Sequence, residues 1–228
     1  MIPLQDDTPS ASKPYVTYGL IAVCTVAFLW QRSLGAPAGR RALAALGAIP
    51  AVLLTDARLP PDLQWVPRYA TLFTSMFLHG GWMHLLGNML FLWIYGDNIE
   101  DSMGHLRFLG FYLLCGIAAV FAQALPDPGS AYPIIGASGA ISGVLGAYLL
   151  LFPRAKVLTL ILLPFFLTTL RLPAMLLLLL WFAVQLLSDF AVRGGGGGVA
   201  FRAHIGGFLT GMVLVVLFKR RDVPLLAP

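Results

Sequence analysis

The stretch "IIGASGAISGVLG", Ile134 to Gly146, sets two serines among glycines inside an apolar run. Its reading decides the fold. In a lipid-embedded helix, small residues let a neighbouring helix approach closely. The same residues also leave room for a peptide backbone to reach a serine hydroxyl. The rest of the chain favours a membrane setting, with 58% hydrophobic residues, 11% charged residues and a mean hydropathy of +0.82. Soluble domains carry about a quarter charged residues, and a spanning helix needs roughly 20 mostly apolar ones. Six candidate spans appear, at about Thr17–Gln31, Trp82–Ile99, Leu106–Leu125, Ile135–Phe152, Leu172–Phe190 and Ala203–Phe218. They predict an all-α membrane protein, a six-helix bundle over residues 17–218. A leader, 1–16, precedes it and a short basic tail, 219–228, follows.

The net charge of +5 invites a nucleic-acid reading, which the distribution excludes. Arg107, Arg154, Lys156, Arg171 and the Lys219–Arg221 cluster fall at span ends or between spans, where cations report membrane orientation. No basic face with interleaved aromatics is left to hold a nucleic acid. The bias predicts cytoplasmic N- and C-termini, with Lys13 also inside and the arginines of the first long loop running against the trend. Cys24 and Cys115 lie inside apolar spans and read as small packing residues. The first apolar run reads as a retained signal anchor, and no Arg- and Ser-rich presequence points to an organelle. The expected location is a prokaryotic plasma (inner) membrane.

Three connections stand out. Arg32 to Gly81 contains apolar patches such as "ALAALGAIPAVLL", which predict a segment lying partly in the interface. "RAKVLTLILLPFFLTTLR", residues 154–171, is apolar but broken by Pro164, and predicts an interfacial or re-entrant connection. Five glycines at 194–198 read as a flexible tether. No internal repeat is visible, which disfavours a small transporter, a class often built from repeats.

Because spans alternate in direction, the N-terminal ends of spans two, four and six share one membrane face. Span two opens with "HGGWMHLLGN", which puts His79 before the helix and His84 and Asn88 on one helix face. Span four carries Ser138 near its start, and span six opens with "AHIGGFLTG", which holds His204. Each feature alone has a plain structural reading as close packing or an interhelical clasp. Together they are costly polar groups gathered at one place in a membrane. A hydroxyl needs a positioned base to become a nucleophile, an imidazole is the usual base, and a tetrahedral oxyanion needs fixed donors. Gly136 and Gly139 clear space around Ser138, while Gly207 and Gly211 let span six approach its partner. There is no HExxH zinc pattern. Asp97 and Asp189 fall at opposite faces, which excludes an aspartyl dyad.

The ordered motifs "HGGWMHLLGNM", "GASG" and "AHIGGFLTG", with the weaker "GDNIE" (residues 96–100), resemble those of the rhomboid intramembrane serine proteases. The resemblance runs from about Trp65 to Gly211. It implies a six-span rhomboid-type bundle that hydrolyses peptide bonds in or next to transmembrane segments of membrane proteins. By resemblance Ser138 is the nucleophile and His204 the base. His84, Asn88 and the Ser138 amide correspond to the oxyanion site, and Glu100 to a structural anchor. His79, Gly136, Gly139, Gly207 and Gly211 are supporting residues. The resemblance further implies no metal and no cofactor, substrates that are transmembrane proteins in the bilayer, an active site opening to the outer face, and span five as the element displaced for substrate entry. Two departures stand out. Ala70 and Thr71 occupy the positions of a frequent Trp-Arg pair, with Trp65 and Arg68 slightly upstream. Ser142 stands where some relatives place a tyrosine that supports the base. The alternative is a rhomboid-like protein that binds membrane clients without cutting them.

Overall fold

The structure is a computed structural model that describes residues 1–163, 166–191 and 199–226. The Gly194–Gly198 tether and the Pro164 break lie outside these residues. Six longer helices form a bundle: α1 (Tyr15–Ser33), α5 (Trp82–Met103), α6 (His105–Ala124), α7 (Ser138–Leu151), α8 (Ala174–Ala191) and α9 (Phe201–Phe218). The connection after α1 folds into short helices α2 (Gly35–Leu46), α3 (Pro50–Leu54) and α4 (Thr71–Thr74). It is laid against the bundle through buried Ala42, Ala45, Ala48 and Leu53.

Among the described residues, three helices are long and apolar enough to cross a membrane: α6, α8 and α9. Helices stand at all six expected places in sequence order, but α1, α5 and α7 are not among these three, the last two for evident physical reasons. In α5, Asn88, Asp97, Asn98, Glu100 and Asp101 dilute an otherwise apolar run. Helix α7 has 14 residues, about 21 Å of rise. It begins at Ser138 rather than Ile135, because Gly136 lies at φ +113° and turns the chain into the helix. Leu176, Leu179, Val184 and Leu187 on α8, with Val213 and Leu217 on α9, are exposed. Apolar surface on this scale suits a multi-pass membrane protein.

Helices α6, α7 and α9 make the centre. A methyl group on Gly207 would fall on the Gly139 carbonyl oxygen, and one on Gly211 on that of Gly143. The two backbones therefore meet at successive turns, spaced by four residues on each helix. On the α6 side, Gly139 faces Ala119 and Gly143 faces Cys115. Cys24 and Cys115 are buried free thiols. Without a hydrophobic driving force between helices in lipid, such close contact is a main source of cohesion.

Residues 154–171 correct the sequence expectation. Their described residues hold two paired strands, β2 (Lys156–Leu163) and β3 (Phe166–Pro173), and β1 (Ile2–Asp6) joins them in the order β1-β2-β3. Both pairings are antiparallel, with Ile2 opposite Leu160 and Val157 opposite Leu172. Val157 and Thr159 turn inward and are fully buried, as the two-residue period of a strand requires.

The expected leader is thus folded against one end of the bundle. Tyr148 donates to the Asp6 carboxylate, Asn98 to the Thr8 carbonyl at 2.9 Å, and Ser10 to Asp97 at 2.8 Å. Deeper still, Glu100 is fully buried at the start of α1. It accepts from the Val16 and Thr17 amides and from the Thr17 hydroxyl, at 2.9, 2.7 and 2.7 Å. His105 Nδ1 lies 2.6 Å from the same carboxylate.

Burial, with repulsion from Asp97, pushes the Asp6 carboxyl up to about 6, against the hydrogen bonds from Tyr148 and Thr8. A carboxyl raised on docking binds its proton more tightly when docked than when free. Docking of β1 is therefore strongest below the free value of 3.8 and weakens as pH rises towards about 6. Amide exchange of residues 2–6, corrected for intrinsic rate, should show less protection at pH 7.5 than at pH 5. In Asp6→Asn the difference should vanish; an unchanged difference would place its origin elsewhere.

Candidate active site

Three helix starts meet at the end of the bundle away from the sheet. Ser138 is the first residue of α7. The chain before it is pinned from both sides: Ala48 and Ile134 exchange backbone hydrogen bonds at 3.0 and 2.8 Å, and the Gly136 amide donates to the Ser75 carbonyl at 2.8 Å. His204 lies in the first turn of α9, and the Gly139–Gly207 approach brings that turn against α7. Its Nε2 is 2.8 Å from Ser138 Oγ.

His84 and Asn88 sit on the α5 face turned towards this point. His84 Nδ1 accepts from the Gly80 amide at 3.3 Å, which leaves the proton on Nε2. That edge of the ring faces Gly136: a Cβ there would come within 2.7 Å of His84 Nε2 and 3.7 Å of Ser138 Oγ. Gly136 is required twice, by its positive φ and by the imidazole beside it. Asn88 is buried, and its Nδ2 has no hydrogen-bond partner among the described residues. A small cavity of about 20 Å³ lies between Ser138 and Ser75, walled by Met76, Gly116 and Ala119.

His79 holds the entry to α5. Its amide donates to Gln31 Oε1 at 3.1 Å and its carbonyl accepts from Gln31 Nε2 at 3.3 Å, a two-way clasp to α1. Its Nδ1 lies 3.3 Å from the Phe77 carbonyl, and its ring meets His84 edge-on at 5.1 Å. Burial, then the His84 ring, pushes its imidazole down to about 4. Ser142 does not reach His204; its hydroxyl bonds back to the Ser138 carbonyl at 2.6 Å. Glu100 stands at the opposite end of α5, with the α1 start. Asp189 pairs with Arg202 at 2.9 Å near the α9 start, while Asp97 bonds Ser10 at the far end, so the two acids are apart as expected.

Sequence reading missed one residue here. Gln185 of α8 places its Oε1 2.8 Å from His204 Nδ1. Its only signal was a single amide in the leucine-rich run "MLLLLLWFAVQLLSDF".

Comparison with known proteins agrees with these motifs. Residues 66–221 match the model of the Rhomboid domain. RHOMBOID-like protein 5 of Arabidopsis thaliana is 31% identical over 143 residues, covering 63% of this chain and 42% of that protein. Rhomboid protease GluP of Bacillus subtilis is 36% identical over 137 residues, covering 60% of this chain and 24% of the relative. Rhomboid protein 1, mitochondrial, of Saccharomyces cerevisiae is 35% identical over 98 residues, 41% of this chain and 28% of that protein. The matched region is thus less than half the length of each of these relatives. The Rhomboid-domain match contains all three polar motifs and spans most of the sequence, and this chain belongs to the rhomboid family.

Proposed function

We propose that this protein is an intramembrane serine endopeptidase that cuts peptide bonds in or next to transmembrane segments of membrane proteins. The observation that carries the reading is the 2.8 Å hydrogen bond between His204 Nε2 and Ser138 Oγ, in a cluster of polar groups set among apolar helices. Ser138 Oγ attacks the scissile carbonyl carbon as its proton passes to His204 Nε2. The negative charge that develops on the carbonyl oxygen is met by three donors. They are the Ser138 amide, free because first-turn N–H groups have no intrahelical acceptor, His84 Nε2–H and the unspent Asn88 Nδ2–H. His204 then gives its proton to the leaving amine. Water, losing its proton to His204, attacks the acyl-serine; His204 returns that proton to Ser138 Oγ as the second product leaves with its new carboxyl group.

The six longer helices are read as spans of one domain over residues 17–218, with both termini cytoplasmic and the site near the outer face. That topology rests on the charge bias along the chain and on the family. Expressing the protein with a panel of single-span reporters tests the reading. Cleavage by the wild type and its loss in Ser138→Ala are expected. Binding without cleavage by a folded wild type would overturn the protease reading in favour of a client-binding role.

A further inference from the structure

We propose that Gln185 is a positioning residue for His204, so that the site works as a line of three groups, Ser138, His204 and Gln185. The inference rests on the protease reading above.

Gln185 is the only polar member of the buried set on α8; the others are Ala174 and Leu178. The stripe they form turns towards the bundle, whereas most of the helix is exposed leucine. The Gln185 side chain makes two contacts of opposite kind. Its Nε2 donates to the Trp181 carbonyl one turn earlier, at 3.4 Å, which turns Oε1 towards His204 Nδ1 at 2.8 Å. A carbonyl oxygen can only accept, so the proton of the neutral imidazole sits on Nδ1. Nε2 then carries a lone pair, the form that can take the Ser138 proton. The opposite tautomer would donate to Ser138 Oγ and could not act as base. An orienting acceptor behind the base therefore decides whether a Ser–His contact at this distance is productive.

The arrangement also explains the departure at Ser142. With that hydroxyl turned back to the Ser138 carbonyl, α7 offers the imidazole no support. Support comes from α8 instead. Trp181 lies beside the His204 ring at 5.9 Å, Phe182 stacks on Phe208 at 4.6 Å, and Asp189 ties to Arg202 one turn beyond Gln185. Among the described residues, Ser138 on α7 and His84 on α5 also act on His204. The plain reading is a buried amide that satisfies itself on the nearest partner. That reading predicts a change in stability and none in the state of the imidazole.

The test uses the full-length protein in nanodiscs, with the rate of fluorophosphonate labelling followed from pH 5 to 9 and a thermal transition recorded for each variant. Gln185→Leu should stay folded and label about tenfold to a hundredfold more slowly. Gln185→Glu should keep labelling, with the acid limb of its pH profile moved to higher pH, because a carboxylate behind the imidazole retains the proton on the base. Wild-type labelling by Gln185→Leu, or three superimposable acid limbs, would overturn the proposal. If the folded wild type does not label at all, the protease reading fails first. The 15N shifts of His204 then decide the positioning role separately. An Nδ1–H tautomer that is lost in Gln185→Leu sustains it, and an unchanged tautomer removes it.

Discussion

Ser138→Ala and His204→Ala should each abolish reaction with a fluorophosphonate probe, a loss of at least about a thousandfold. The two losses should not add, because the hydroxyl and imidazole act as one unit through their 2.8 Å hydrogen bond. Under the proposed mechanism, removing an oxyanion donor should cost less: about a hundredfold or more in peptide cleavage for His84→Ala or Asn88→Ala. The decisive comparison is between variants that remain folded. Equal labelling of Ser138→Ala and wild type would mean that another nucleophile reacts, and the assigned chemistry would be wrong.

Glu100→Ala should be the most destabilising single change at the other end of the molecule, by about 3–5 kcal/mol. The carboxylate is fully buried and takes three hydrogen bonds from Val16 and Thr17 while facing His105. Truncating it leaves two amides and a hydroxyl at the α1 start without an acceptor, in a place water reaches poorly. Each such orphan costs about 1–3 kcal/mol. Glu100→Gln should cost less, since one acceptor oxygen remains. A denaturant titration followed by α1 protection would read the loss. A change below about 1 kcal/mol would mean that α1 holds its place by packing alone. Ser138 and His204 sit near the opposite end of α5, so the labelling of whatever fraction stays folded should be nearly unchanged. That separates this effect from the first.

The chain dictates locally what its periodicities and breaks can carry. Apolar runs placed all six longer helices to within four residues at either end. The motifs put His84 and Asn88 on one face, and the alternation of direction put Ser138 and His204 at the same end. Glycines four residues apart on α7 and α9 announced a close crossing, since only the absence of a side chain permits one. Where α7 begins was not legible, because Ile134 and Ile135 are as apolar as the helix they precede. Ile134 is held outside the helix by bonds to Ala48, and Gly136 by one to Ser75, both from the first connection.

The rest depended on partners far along the sequence. Val157 and Thr159 could be read as part of an interfacial run until β1 was found beside them. His105 belongs to none of the sequence motifs, and only the fold turns it onto Glu100. Gln185 looked like a stray amide until α8 carried it to the back of His204. Composition and spacing alone determined that this is a membrane bundle with a serine, two imidazoles and a carboxamide at one end. Tertiary structure alone decided which groups touch, because a hydrogen bond between distant residues leaves no period in the sequence and exists only once the helices have packed.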